Sequence, residues 1–163
     1  MESKTKVLGH PIHPMLVVLP LGLFIAAVVF DAFAWFGASS AFATVGFWNI
    51  AGGIIGGLLA AVFGLIDWLA IPPGTRAKRI GLLHGASNVV VILAFSAVWL
   101  ARRDTPDLPP TTGIFLVEVG ALLLGSIAGW LGGELVDRLA VGVDDGAHLD
   151  APSSLSGRPA RAK

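Results

Sequence analysis

The chain contains no cysteine and no tyrosine, and few of its residues are charged. Without cysteine, its 163 residues form no disulfide, no thiolate metal site and no cysteine nucleophile. Charged residues make up 13% of the sequence, against about 25% in ordinary soluble proteins. Basic and acidic residues number 11 each, so no basic excess favours a nucleic-acid partner. A membrane protein is therefore the expected class, and the mean hydropathy of +0.79 agrees with it.

Four long apolar segments alternate with turn-forming residues. They cover about residues 15–36, 47–71, 80–101 and 112–133. At about 1.5 Å per residue, each can cross a hydrocarbon core of about 30 Å. Because backbone groups in lipid must bond internally, the segments are predicted to be helices. We expect an all-α fold, an integral-membrane four-helix up-down bundle in residues 1–143, with a disordered tail in residues 144–163.

Basic residues flank the predicted spans unevenly. Six lie beside the membrane on the side that carries both termini: Lys4, Lys6, Arg76, Lys78, Arg79 and Arg138. Only Arg102 and Arg103 lie on the other side. This asymmetry predicts that both termini are cytoplasmic, in a multi-pass protein of the bacterial inner membrane surrounded by the lipid bilayer.

Histidines cluster at the predicted cytoplasmic end of the bundle. His10 and His13 lie in a His-Pro-x-His-Pro pattern before the first span, and His84 enters the third span about one turn deep. Two histidines from different helices can ligate a haem iron inside a bundle. The preferred interpretation is a b-type haem protein or electron-transfer subunit. His13 and His84 are its first-choice ligands, with His10 as a substitute and Asn88 beside the cofactor.

Two other interpretations stay open. In one, His10, His13, His84 and Asp67 bind zinc or another divalent metal ion, since imidazole and carboxylate groups suit such ions. In the other, the polar residues are structural and no cofactor binds. The protein would then be a non-enzymatic accessory or scaffold subunit of a larger membrane complex, or a homodimer, with a small-residue face such as Gly52-x-x-x-Gly56 packed on its partner.

Further polar residues lie at both ends of the spans. Asp67 and Glu134 end the second and fourth spans, where they are predicted to orient imidazoles or haem propionates. Asp31, Asn49 and Glu118 form an outer polar set, and burial of a carboxylate in a membrane is costly. They either hydrogen-bond near the interface or line a proton or cation path. No phosphate loop, G-x-S-x-G or H-E-x-x-H motif occurs, so electron transfer is the only activity expected.

Several motifs resemble those of a known family. They are Gly9–Met15, Gly64–Asp67, His84 with Asn88, and Gly129–Val136. In these motifs, over residues 9–143, the chain resembles a bacterial family of four-span membrane proteins catalogued as domain of unknown function 2231. The resemblance implies a membrane domain that is sometimes joined to Rieske-type or electron-transfer partners, and no established activity.

The chain departs from that family at one position. The family usually has a histidine soon after the last motif, and this sequence has Leu139 there. If the family's histidines form paired ligands, one pair is incomplete here. His148 could replace the missing histidine only if the tail folds back.

Overall fold

The fold is the four-helix bundle that the sequence predicts. The structure, a computed structural model, describes residues 1–162. Its helices are α1 Ile12–Leu16, α2 Val18–Trp35, α3 Ser40–Ala70, α4 Arg76–Arg102 and α5 Thr112–Gly133. A hairpin of two short antiparallel strands, β1 Lys6–Val7 and β2 His10–Pro11, precedes them. The four spans that are long and apolar enough to cross a membrane are Ile12–Trp35, Ser40–Ala70, Arg76–Arg102 and Thr112–Arg138.

Hydroxyl side chains define where three of the long helices begin. Ser39 accepts a hydrogen bond from the Ala41 amide, Thr75 from the Lys78 amide, and Thr111 from the Ile114 amide. Such N-caps satisfy amides that have no partner within the helix. The cap at Ser39 explains why α3 begins at Ser40, seven residues before the predicted start of the second span at residue 47.

The first span is broken near its beginning. Helix α1 ends at Leu16 and α2 begins at Val18. Pro20 has no amide to donate to the Leu16 carbonyl, and its ring crowds that oxygen. Pro20 therefore accounts for the break at Val17, just under one turn earlier in the chain.

Apolar side chains cover both the inside and the outside of the bundle. Phe95 and Ile50 are fully buried, and Phe24 stacks on Phe95 with ring centres 4.0 Å apart. Large apolar side chains such as Leu58 and Leu123 are exposed on the outer surface. A surface of that kind is unusual for a soluble protein and is suited to lipid.

Small residues bring the helices of the bundle close together. Gly53 lies against the Phe24 ring, where an added Cβ would be 2.5 Å from a ring carbon. Gly52 and Gly56 face Leu23 and Leu19 of α2 in the same way. The expectation that the Gly52-x-x-x-Gly56 ridge is exposed to a partner is therefore wrong, because α2 already covers it.

The bundle contains two similar helical pairs. Asp31 and Arg102 are 71 residues apart in the sequence and meet inside the bundle. Phe24 meets Phe95, and His13 meets His84, at the same separation. The first span is thus matched by α4 at a constant offset of 71 residues, and the helical pairs of residues 12–70 and 76–138 lie around an approximate two-fold axis along the bundle.

The two chain termini meet at one end of the bundle, which we call the terminal face. The Met1 amino group donates to the Ala140 carbonyl at 2.7 Å. Lys6 forms an ion pair with Asp144, and the Asp145 amide donates to Glu2 at 3.2 Å. The segment predicted to be a disordered tail contains short turns, including a 3₁₀ turn at Ser154–Ser156, and contacts the N-terminal residues.

Candidate cofactor-binding site

His13 lies in α1 and contacts α3 near the terminal face. Its Nδ1 lies 2.8 Å from the Ala60 carbonyl oxygen. The ring lies against Gly64, one turn further along α3, where an added Cβ would be 2.8 Å from Cε1. A glycine at this position therefore allows the half-buried imidazole to approach the α3 backbone.

His84 makes the same contacts in the second helical pair. Its Nδ1 lies 2.8 Å from the Ala128 carbonyl oxygen of α5. Its ring lies beside Gly132, where an added Cβ would be 3.1 Å from Cε1. Asn88, one turn along α4, donates to the His84 carbonyl at 2.9 Å, and its Nδ2 lies 3.4 Å from His84 Nε2.

The two histidines converge on the axis of the bundle. Their ring centres are 6.2 Å apart and their planes are perpendicular. Since a carbonyl oxygen only accepts hydrogen bonds, Nδ1 of each ring must carry a proton. In a neutral imidazole this leaves the lone pair on Nε2, the atom then free to bind a metal. The structure thus brings together the two first-choice ligands that the sequence singled out, with Asn88 beside them.

The substitute ligand His10 lies elsewhere. It belongs to the β-hairpin, its side chain is exposed, and its Nε2 is 3.4 Å from Ser154 Oγ in the tail. The preceding turn residues Leu8 and Gly9 both have positive φ, as a tight two-residue hairpin turn requires. His10 is therefore not placed beside His13, although only two residues separate them.

Asp67 has partners other than a histidine. It accepts hydrogen bonds from Ser3 Oγ at 2.7 and 2.9 Å and from the Lys4 amide at 2.7 Å. Its carboxylate thus holds the N-terminal segment on the bundle. Within residues 1–162, no three histidine, aspartate or glutamate side chains are grouped so as to hold a metal ion. The four-ligand set predicted from His10, His13, His84 and Asp67 is not assembled.

Glu134 lies at a change of helix type. Helix α5 continues directly into a π-helical turn at Glu134–Arg138, and the Glu134 carboxylate bonds Arg76 at 2.6 Å. This pair connects the beginning of α4 to the end of α5, a partner for Arg76 that the sequence did not indicate. π-Helical turns are rare and occur frequently at functional sites. Leu139, the position of the family's histidine, directly follows this turn.

The remaining histidine stays in the tail. His148 Nδ1 accepts a hydrogen bond from the Asp150 amide at 3.3 Å. Its recorded partners among the described residues belong to the tail itself. The structure therefore gives no contact by which His148 would replace the histidine missing at Leu139.

Two members of the outer polar set, Asp31 and Glu118, contact an arginine at the far face, the end of the bundle opposite the terminal face. Arg102 donates to both oxygens of Asp31, at 2.6 and 2.9 Å, and more weakly to Glu118 at 3.3 Å. All three side chains are at most 3% exposed. Asn49 is half-buried and has no recorded hydrogen bond to this group.

Arg102 has a role that its position at the end of a span does not indicate. The distribution of basic residues predicts a charge that flanks the membrane, but the Arg102 side chain folds inward and bonds two carboxyl groups and the Ala43 carbonyl. The sequence does contain a signal for this buried ion pair, because carboxylates in apolar spans require a cation at the same depth. Arg102 ends the third span, which lies between the spans of Asp31 and Glu118 in the sequence.

The described residues define an integral-membrane four-helix bundle with a histidine pair near one end and a buried charge cluster near the other. A family model described as predicted membrane protein (DUF2231) matches residues 9–145. The chain belongs to this family, as its motifs indicated. No curated protein matches the chain. No solved structure matches it either.

Proposed function

We propose that the protein binds b-type haem and transfers electrons within a membrane, and that His13 and His84 are the residues that would hold the haem iron. The observation that carries the proposal is the convergence of these two rings, 6.2 Å apart, from different helical pairs. Neither ring is simply packed among apolar side chains. Each is oriented by a hydrogen bond from Nδ1 to a backbone carbonyl, the contact that commonly fixes a metal-binding histidine.

The distance between the rings suits a shared metal ion. Imidazole nitrogens bind metals such as zinc at about 2.0–2.1 Å, so an ion directly between two imidazoles holds their centres about 6.5 Å apart. The observed 6.2 Å is close to this value. For a haem iron, which the porphyrin also holds, two histidines from the protein would be sufficient. An ion without a porphyrin would need further protein ligands, and residues 1–162 do not group a third carboxylate or histidine with the pair.

The residues that contact His13 and His84 would support haem binding in different ways. Gly64 and Gly132 leave room for the imidazoles. Ala60 and Ala128 fix the ring orientation through their carbonyl oxygens. The Asn88 amide donates to the His84 carbonyl at 2.9 Å, a bond that leaves Nε2 of His84, 3.4 Å from Asn88 Nδ2, as the atom that would hold the haem iron. The haem would supply a one-electron couple in its iron, which no side chain of this chain provides.

The proposal includes an orientation. The terminal face carries Lys4, Lys6, Arg76, Lys78 and Arg79, an excess of basic residues that supports a cytoplasmic position. In a bacterial inner membrane, the histidine pair would then lie towards the cytoplasm and the Asp31–Arg102 pair towards the periplasm. About 18 residues separate His13 from Asp31, which at about 1.5 Å per residue is close to the thickness of the hydrocarbon core.

Absorption spectroscopy tests the function directly. The protein is purified from cells supplied with ample haem, and the Soret band and iron content are measured. The expected result is one low-spin haem per chain, reducible by dithionite. His13→Ala and His84→Ala should each remove the low-spin spectrum, because each deletes one axial ligand.

Two other histidines provide matched controls. His10→Ala and His148→Ala remove exposed imidazoles that bond Ser154 and Asp150, so their spectra should equal that of the wild type. A colourless, iron-free wild-type protein would refute the proposal. So would a haem spectrum that both His13→Ala and His84→Ala leave unchanged.

A further inference from the structure

The charge cluster at the far face contains one cation and two acids. Arg102 and Asp31 form a two-point ion pair at 2.6 and 2.9 Å, a geometry in which the two charges compensate each other. Glu118 receives only one long contact, 3.3 Å from Arg102 Nη1. If both acids were ionised, the cluster would carry one uncompensated negative charge.

Burial makes such an uncompensated charge costly. Asp31 and Glu118 are 0% exposed, and Arg102 is 3% exposed. Water therefore does not reach the Glu118 carboxyl, and the cluster lies within spans that cross the membrane. An isolated carboxylate in such surroundings is strongly disfavoured relative to its neutral form.

The hydrogen-bond partners of Glu118 give a second, independent reason to expect that its carboxyl is protonated. Its Oε2 is buried and has no hydrogen-bond partner, although a carboxylate oxygen accepts readily. The neighbouring Asp31 carboxylate interacts with it directly and is itself an acceptor. A proton on Glu118 converts this acceptor–acceptor contact into a hydrogen bond from Glu118 to Asp31.

The groups around the cluster supply no further compensating charge. From α3, the Ala43 carbonyl accepts from Arg102 Nη2 at 3.1 Å, and Gly46 lies against the Asp31 carboxyl. From α4, the indole nitrogen of Trp99 is buried without a partner. Arg103, the next basic residue, is largely exposed and lies 3.6 Å from Asp104. The titratable groups that act on Glu118 are Asp31 and Arg102.

We propose that Asp31, Arg102 and Glu118 form a proton-binding site inside the membrane, in which Glu118 holds the proton at neutral pH and Asp31 stays ionised against Arg102. The site binds one proton per chain. Proton uptake forms a single O–H bond at the Glu118 carboxyl and release breaks that bond, with the aqueous solution beyond the far face as the source and the acceptor of the proton. This inference does not depend on whether His13 and His84 bind haem.

Infrared spectroscopy distinguishes a carboxylic acid from a carboxylate. The C=O stretch of a protonated carboxyl lies apart from the carboxylate bands, and ¹³C-labelled glutamate shifts it without any mutation. The chain has three glutamates, Glu2, Glu118 and Glu134. Glu2 and Glu134 are each paired with a cation at the terminal face. At pH 7, the labelled wild-type protein should therefore show one isotope-shifted carboxylic-acid band.

Three substitutions identify the group responsible. Glu118→Gln should remove the isotope-shifted band, and Glu134→Gln, on the same span, should leave it unchanged. Asp31→Asn should also remove the band, because Arg102 then has Glu118 as its only acid and Glu118 becomes ionised. Absence of the band from labelled wild-type protein at pH 7 would overturn the proposal even if no variant folded, as would its persistence in Glu118→Gln.

Discussion

Asp31 and Arg102 occupy equivalent positions in the two helical pairs and carry opposite charges. Their ion pair crosses the bundle axis, as do the Phe24–Phe95 stack and the His13–His84 pair. Identical residues can meet across a two-fold axis when they are aromatic or share a ligand. Two aspartates or two arginines buried at this depth would repel each other. The two helical pairs therefore have the same residue type where the phenylalanines and the histidines meet, and residues of opposite charge where Asp31 meets Arg102.

Loss of Arg102 should destabilise the bundle more than loss of any exposed cation. Arg102→Met leaves two buried carboxyl groups without a cation, and breaking a buried ion pair from one side costs about 3–5 kcal/mol. The measurement is the midpoint of thermal unfolding in detergent, followed by circular dichroism. Arg103→Met is the matched control, because its side chain is 62% exposed and its effect should be small.

The triple variant provides a stricter test of that explanation. Arg102→Met with Asp31→Asn and Glu118→Gln removes every charge of the cluster, and should recover much of the stability lost in Arg102→Met. If the triple variant is no more stable than Arg102→Met alone, the loss does not arise from uncompensated carboxylates.

The glycines beside His13 and His84 should determine how much haem the protein binds, because they leave room for the two imidazole rings. An added Cβ would lie 2.8 Å from His13 Cε1 at Gly64, and 3.1 Å from His84 Cε1 at Gly132. Gly64→Ala should therefore displace its ring further than Gly132→Ala, and overpacking of this kind typically costs about 1–3 kcal/mol. The haem-to-protein ratio should fall in both variants, most in Gly64→Ala.

Gly129 is the control for those substitutions. It lies on α5 with nothing within 4 Å of an added Cβ, so Gly129→Ala should keep wild-type occupancy. A fall in haem content for Gly129→Ala equal to that for Gly64→Ala would show that helix propensity, and not ring displacement, is responsible.

The sequence could predict the bundle and its central histidines because both depend on helical spacing. Apolar runs long enough to span a membrane define the helices, and the antiparallel order of the spans brings His13 and His84 to the same end. The features of the site that the sequence could not predict depend on local backbone geometry. His10 lies in a hairpin closed by two residues of positive φ, and its ring is beside Ser154 of the tail. Gly129 and Gly132 lie about one turn apart on α5, but only Gly132 has a neighbouring side chain within 4 Å of an added Cβ.

The contact between the N-terminal segment and the tail should depend on pH at both extremes. The Lys6 ammonium and the Asp145 amide lower the pKa of Glu2 below its ordinary 4.5. Hydrogen bonds to Asp144 and Glu2 raise the pKa of Lys6 above its ordinary 10.5. The Glu2 contribution is present above pH 4.5 and is lost as the pH falls through its lowered pKa. The Lys6 contribution is present below pH 10.5 and is lost as the pH rises through its raised pKa.

Spin labels can follow this contact because the chain has no native cysteine. In a Lys4→Cys, Asp150→Cys variant that carries two labels, pulsed electron resonance measures the distance between the labels. The distance distribution should be narrow at pH values between the lowered pKa of Glu2 and the raised pKa of Lys6, and broad outside this range. Adding Lys6→Gln should broaden the distribution at every pH, while Arg79→Gln should not. An unchanged distribution in the Lys6→Gln variant would mean that these ion pairs do not hold the tail.

The two helical pairs should assemble when they are made as separate chains. Pro73 and Gly74 lie in an exposed turn between α3 and α4, so residues 1–73 and 74–163 each contain one complete pair. Membrane helices form individually before they pack. The Phe24–Phe95 stack and the Asp31–Arg102 ion pair both join one half to the other. Co-expressed halves should therefore copurify through a tag on either one.

A substitution at their shared interface should weaken this assembly. Arg102→Met in the second half removes the ion pair to Asp31 and should sharply lower recovery of the first half. Arg103→Met changes only an exposed charge and should leave recovery unchanged. If intact halves fail to copurify although each is found in the membrane, contacts across the axis are too weak to hold the pairs together. The connecting turn, and not the matched residues, would then keep His13 beside His84.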